Sequence, residues 1–456
     1  MADTTWVGGD SGNETDWATG ANWSTGSVPT TSAHVVIPNT THNCALDTTR
    51  TIGSLTIQSG GTIVGGGNKL IIQSEGDASG GTEHYALKND GIVSGNLHLE
   101  FTYAGETAAD FNGSSGNFND IKLNAASVDL NQVGVATFDS LIIVANSTYD
   151  AGNDGLTISG NVSCSGTFLG NATSAVSHGS LTINSGGTYS ATSGETSITG
   201  AGGISRAGTF THNNGTVDFE AATTVIQDTT MTGSNAFYIL KSTGTTWYRI
   251  DQDIDIERHA STGYVFWFYG NVTVTMGTDT YSSGTDNSNK CIGWSYVYGH
   301  TSSTYKLYAK NELYPWLYDY ANVGNSSWIN GSQDARMGIA HLKGGNIIGD
   351  FSIAETTNPK SIVLDGDMEF DGVTVGNTNT LDLNGQRAEF GGAFDLDGNM
   401  DIDGSMAIFK HTLHLGGKYP SGGLESDADT IIIHDPPSAS EKAITSLYAQ
   451  GTFFAK

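Results

Sequence analysis

Oxygen ligands stand at alternate positions in Asp395-Leu396-Asp397-Gly398-Asn399-Met400-Asp401-Ile402-Asp403, which is how a calcium-binding loop begins. The match ends there. Met400 occupies the position where the sharp turn needs glycine, and Met406 the position where a bidentate glutamate should close the loop. Alternating carboxylates are also what the solvent face of a strand looks like, so no metal site is expected. Asp251, Asp253, Asp255 and Glu257 alternate in the same way, with Ile250, Ile254 and Ile256 on the opposite face, and their expected role is solvation. Two carboxylates cleave a glycosidic bond when held roughly 5 to 9.5 Å apart, and stacked strands bring equivalent positions about 4.8 Å apart. No spacing along this chain singles out such a pair.

Other reactive residue types are equally dispersed. Gly9-Asp10-Ser11-Gly12 resembles the nucleophile turn of some serine hydrolases, but no apolar strand leads into it and no helix pattern follows, so a plain turn is expected. His411 and His414 would point to opposite faces of a strand and could not easily share a metal. Cys44, Cys164 and Cys291 are far apart, show no metal-type spacing and read as small buried apolar residues. No catalytic residue, metal ligand or cofactor is therefore expected. Aromatic residues are the better candidates: of 8 Trp, 18 Tyr and 17 Phe, 20 fall between positions 237 and 328. Exposed Trp and Tyr faces stack on sugar rings and anchor protein interfaces. Trp247, Tyr248, Trp267, Trp294 and Trp316 are the candidate glycan or interface contacts, against the alternative that they fill a wider core.

The elements that would position these residues are short strands. Gly53-Ser54-Leu55-Thr56-Ile57-Gln58-Ser59-Gly60-Gly61-Thr62 returns almost unchanged at Gly179-Ser180-Leu181-Thr182-Ile183-Asn184-Ser185-Gly186-Gly187-Thr188. Leu and Ile alternate with Ser and Thr, the period of a half-buried strand, and Ser-Gly-Gly supplies a turn. Asp139-Ser140-Leu141-Ile142-Ile143 and Gly155-Leu156-Thr157-Ile158-Ser159 are variants, and Leu55, Leu70, Leu123, Leu141, Leu156, Leu181 and Ile198 serve as anchors. In the C-terminal part, Leu364-Asp365-Gly366, Leu383-Asn384-Gly385 and Ile402-Asp403-Gly404 place turn glycines 19 residues apart twice, which implies equal coils. The fold class this predicts is all-β: a β-solenoid of the right-handed parallel β-helix type, with an aromatic-rich β insertion and a short C-terminal helix. The few inward side chains of one coil do not offset the ordering of its backbone, so isolated coils should not fold and only a continuous stack is stable.

The predicted organisation is a Trp-rich cap over 1–50, solenoid over 51–230, an aromatic-rich module over 231–345 with longer strands, in an inserted sheet or an enlarged coil, a second solenoid segment over 346–435, and a helix and tail over 436–456. The helix is expected from the capping box Ser438-Ala439-Ser440-Glu441, with Ile444, Leu447 and Tyr448 on one face and Gly451 at its end. A chain of 456 residues exceeds a single globular core, but a solenoid grows along one axis. A charge of −28 repels phosphate backbones and anionic lipids, so neither nucleic acid nor membrane is an expected partner. There is no run of about 18 apolar residues to span a bilayer, and Met1-Ala2-Asp3-Thr4-Thr5-Trp6 does not look like a secretory leader.

The order Trp6-Val7-Gly8, Trp17, Asn22-Trp23-Ser24-Thr25-Gly26, Val28-Pro29 resembles the opening of β-helical passenger segments in bacterial surface proteins and of phage appendage proteins. Asn214-Gly215-Thr216-Val217-Asp218-Phe219 and Phe237-Tyr238-Ile239-Leu240 likewise resemble repeats of β-helical surface proteins. The resemblance implies a structural protein of a phage particle, in an appendage such as a tail spike or fibre or associated with the capsid. It further implies a homotrimer assembled in the host cytoplasm with other virion proteins; the partner expected from the aromatic module itself is host surface polysaccharide. The alternatives are a spike enzyme that degrades polysaccharide and an adhesin at the bacterial cell surface.

Overall fold

The computed structural model describes residues 3–74, 85–103, 109–112, 116–125, 127–170, 174–222, 225–243, 248–259, 266–268, 272–276, 297–299, 304–309, 339–342, 345–353, 361–376, 379–396, 398–402, 405–410, 413–415, 424–425, 430–433 and 453–455. It is a parallel β-solenoid, and the chain divides into two compact units, Met1–Ala221 and Ala222–Lys456. Among the described residues the only helical turns are Gly20–Asn22 and Gly233–Asn235. None is long and apolar enough to cross a membrane. The helix expected from Ser438 to Gly451 lies outside the described residues, and the strand Phe453–Ala455 pairs in parallel with Thr430–Ile433.

In the first unit, ten strands form one parallel sheet: Asp3–Thr5, His34–Ile37, Ser54–Ile57, Tyr85–Asn89, Ala109–Asn112, Asp129–Gln132, Thr148–Asp150, Thr167–Leu169, Thr188–Ser190 and Thr209–Thr211. In the first and last coils the rest is built from two short strands, such as Thr62–Val64 and Lys69–Ile72, and in the middle coils from one longer strand. Leu156–Cys164 pairs with Val176–Ile183 through two separate stretches, Leu156–Ile158 and Asn161–Cys164, with a register break between them. A coil is thus a short strand followed by a bent strand with two halves, which gives three faces. Equivalent positions recur at 148, 167, 188 and 209, where four threonines pair in register on the outer side. β-Branched side chains suit a half-exposed strand face. The inward neighbours of these threonines are Tyr149, Phe168, Tyr189 and Phe210, stacked with centroids 5.9, 4.6 and 6.0 Å apart and interplanar angles of 9° or less. Outside, Ser140 donates to Asp120, Ser159 to Asp139 and Ser180 to Asn161, each across to the preceding coil. The interior is held by ring and aliphatic burial and the exterior by hydroxyl-to-carboxylate or hydroxyl-to-amide bonds.

The repeated Ser-Leu-Thr-Ile-x-Ser-Gly-Gly motif occupies two different faces. Ser54–Ile57 belongs to the ten-stranded sheet, whereas Ser180 to Ile183 is the second half of a bent strand on another face. What repeats is the corner. Gln58 C=O accepts from Gly61 N–H at 2.8 Å and Asn184 C=O from Gly187 N–H at 2.9 Å, with Gly60 at φ +80° and Gly186 at φ +82°. A positive φ at the third turn position is what a type II turn requires of glycine. The second glycine of each pair is there for space: a Cβ on Gly61 would lie 2.2 Å from Ile37 O, and one on Gly187 would lie 2.2 Å from Cys164 O.

At the start of the unit, Trp6, Trp17 and Trp23 are all buried and packed edge to face, with centroids 5.0 and 4.7 Å apart. The indoles of Trp6 and Trp23 donate to His42 O and Trp17 O, both at 2.9 Å. The tryptophan cluster adjoins Asp3–Thr5, the edge strand of the ten-stranded sheet. The hub of this segment is Asn22, which is fully buried. Its Oδ1 accepts from Asp10 N–H at 2.9 Å, and its Nδ2 donates to Asn13 O at 2.6 Å and Asp16 O at 3.0 Å.

The second unit is built the same way. Val225–Gln227, Tyr248–Ile250, Phe266–Phe268 and Val297–Gly299 form a four-stranded parallel sheet. The aromatic-rich stretch therefore continues the ladder, and its described strands run three to six residues. Its coils are what lengthen: Tyr248 pairs with Phe266, 18 residues on, but Phe266 pairs with Val297, 31 on, and Thr304 with Ile339, 35 on. Beyond them the narrow rhythm returns, with Ser361 paired to Thr380 and Thr380 to Asn399, each 19 apart as the turn glycines predict. Asn384 and Gly385 both take positive φ, 48° and 76°. Phe370, Phe390 and Phe409 stack inside with centroids 5.3 and 4.9 Å apart.

Candidate functional site

Of the five aromatic candidates, Tyr248 has its side chain in the described part, and it is buried at 2% exposure. Its hydroxyl donates to Gln227 Oε1 at 2.9 Å, and burial holds the phenol well above its ordinary pKa. Tyr248 is therefore a core residue, as in the alternative that these rings fill the interior. The same device appears in the first unit, where Tyr149 OH donates to Gln132 Oε1 at 3.0 Å. Trp267 lies in Phe266–Phe268, paired with Arg249 on one side and Tyr298 on the other. Trp247, Trp294 and Trp316 lie outside the described residues. Tyr248→Phe should cost about 1 kcal/mol, the price of one buried hydrogen bond. It should lower the thermal midpoint by a few degrees while leaving retention on immobilised polysaccharide unchanged; altered retention would return Tyr248 to the contact surface.

The calcium-like string divides between two ladders, with Phe394–Leu396 in one and Asn399–Asp401 in the other. Met400 and Ile402 are buried, so both are core positions, while Asp397 and Asp403 lie outside the described residues. Ile250, Ile254 and Ile256 are buried behind their carboxylate neighbours, and Asp251 takes a two-bond contact from Arg249 at 2.6 Å. Gly9 to Gly12 is a turn in which Asp10 C=O accepts from Asn13 N–H. His414 lies on the strand Leu413–Leu415, while His411 is outside the described residues. Cys44 and Cys164 are buried and unbridged, and Cys291 lies outside the described residues. Burial pushes the Cys164 thiol up to about 11 and raises Cys44 well above its ordinary value, so neither is a thiolate nucleophile.

Stacking also assembles side chains that are distant in sequence. His98 Nδ1 lies 2.8 Å from Asp120 Oδ2, and Ser140 donates to the other oxygen of Asp120. Here the carboxylate sits between the other two, whereas activating a serine needs the imidazole in the middle, so this trio links coils and performs no nucleophilic chemistry. Glu100 accepts from Lys69 and Asn124, each at 2.6 Å. Burial alone would raise its pKa, but those two bonds with the charges of Lys69 and Lys122 outweigh it and hold the carboxyl below its ordinary value.

Glu195, Asp218 and Glu220 bring carboxylate oxygens within 4.8 Å of one another. Sequence reading missed them because 195 and 218 are on successive coils, joined only by the pairing of Glu195–Ile198 with Thr216–Phe219. A hard divalent cation is what three oxygens would take, but calcium needs about six to eight ligands, and Ser197 already donates to one oxygen of Glu220. A comparison with protein-family models, with curated proteins and with solved structures finds no match to this chain.

Proposed function

We propose that this chain is a structural protein of a phage particle, in an appendage or associated with the capsid, and that it works as a stiff spacer. The observation that supports this reading most directly is where the side chains go. Stacked rings and aliphatics fill the coils of both units, and hydroxyl-to-carboxylate or hydroxyl-to-amide bonds tie the outer faces of the first, so the described residues are spent on joining one coil to the next. Recognition then falls to the long coils of the second unit, whose extra length between Met276 and Val297 and between Ala309 and Ile339 carries Trp294 and Trp316. Host surface polysaccharide is the proposed partner there, and a homotrimer within the virion the proposed assembly. Light scattering on the purified chain should give three times the 47.7 kDa protomer mass. Incubation with host capsule or lipopolysaccharide should leave chain length unchanged; shortened chains would make the protein a polysaccharide-degrading spike instead. Antibody labelling should decorate particles released by lysis, whereas labelling of intact uninfected cells would make it a surface adhesin.

A further inference from the structure

One inward position of the first unit carries a group that can become charged. In the register Ile158–His178–Ile198, a histidine replaces the aliphatic residue of its two neighbouring coils. His178 is fully buried, with Phe168 and Tyr189 edge-on at 5.7 and 5.6 Å. Its Nε2 shares a hydrogen bond of 2.5 Å with Tyr189 OH, while Nδ1 makes none. Tyr189 is the titratable group that faces the ring, and Cys164 lies beside Tyr189; burial pushes both upward, so neither supplies a negative charge near neutral pH. Of the nearest carboxylates, Glu195 is half-buried and Glu220 exposed, while Asp218, on the following coil and two strands from His178, is fully buried and pairs with Ser197. A cation at this position would have the Tyr189 hydroxyl and the Ser177 backbone as polar neighbours and otherwise face hydrocarbon.

We propose that the coil carrying His178 is an acid-labile point of the first unit, where protonation of the imidazole opens the strands Val176–Ile183 and Glu195–Ile198 while coils nearer the tryptophan cluster stay closed. Burial lowers the pKa of His178 from 6.5 to about 3, with the Ser177 backbone opposing in part. The closed coil thus keeps the ring neutral at pH values where the opened coil protonates it. The resulting stability is fully present above about pH 6.5 and is lost progressively as the pH falls towards 3, each unit raising the opening constant about tenfold. This inference goes beyond the spacer reading and does not depend on it.

Amide exchange on the full chain, corrected for the intrinsic pH dependence of exchange, tests the proposal. Between pH 7.5 and 4.5, protection of amides in 176–198 should fall about 100-fold more than in 136–150. His178→Ile, which continues the aliphatic register, should remove that difference. Should this variant fold poorly, exchange of the imidazole C2 proton in the wild-type chain gives the titration midpoint directly. A midpoint near 6.5, an equal loss of protection in both segments, or the same local loss in His178→Ile would each overturn the proposal.

Discussion

Asn22→Ala should melt the start of the first unit roughly 10 °C below the wild-type chain, an effect of about 4 kcal/mol. The substitution leaves Asp10 N–H, Asn13 C=O and Asp16 C=O without their present partner inside a buried segment, and each such group costs about 1 to 3 kcal/mol. Fluorescence reports on it directly, because three of the eight tryptophans surround the site. The early transition should appear as a red shift preceding loss of the β-sheet circular dichroism signal. Asn22→Asp, though the same shape, should be no better than alanine at neutral pH, since it turns an acceptor towards two carbonyls. A wild-type midpoint in either variant would show that the loop from Asp10 to Asp16 finds its order elsewhere.

Gly187→Ala should cost about 3 kcal/mol, more than Gly186→Ala at about 1 to 2. The two glycines are adjacent but answer to different constraints. Gly186 has a positive φ with nothing within 4 Å of an added Cβ, so only backbone conformation is strained. Gly187 would drive its Cβ to 2.2 Å from the Cys164 carbonyl oxygen, a backbone atom that cannot swing aside without breaking the bond it accepts from Asn184 N–H. Thermal midpoints of the two single variants check the order. If Gly186→Ala proves the more damaging, turn conformation and not the approach of coils limits this corner.

The architecture was legible in the sequence, whereas its three-dimensional phase was not. Alternation of Leu and Ile with Ser and Thr identifies a strand, and Ser-Gly-Gly a corner, yet neither says which of three faces the strand occupies. Ser54–Ile57 and its copy ending at Ile183 accordingly look identical in the chain and lie on different faces. The 19-residue rhythm near the C-terminus gave the true coil length because glycine spacing measures a closed circuit. Tyr248 could not be placed from the sequence because ring type does not distinguish inside from outside. The missing signal was Gln227, whose counterpart Gln132 likewise lies one coil before a buried tyrosine. The inner ring stack could have been found from the recurring Thr-aromatic pairs at 148, 167, 188 and 209. The contacts of Asn22 and the carboxylates of Glu195, Asp218 and Glu220 depend on long-range placement that no local pattern records.

The pairing of each coil only with its neighbours has a mechanical consequence. Force applied at one end of the first unit loads the hydrogen bonds of the outermost coil in sequence, as in peeling, while coils behind it carry little until it yields. Extension should then proceed in a sawtooth, each tooth releasing the 21 residues that separate Thr167 from Thr188 and Thr188 from Thr209, about 70 Å of chain. A solenoid of this kind yields one rung at a time, lengthening at each step, and still bears tension on the rungs that remain.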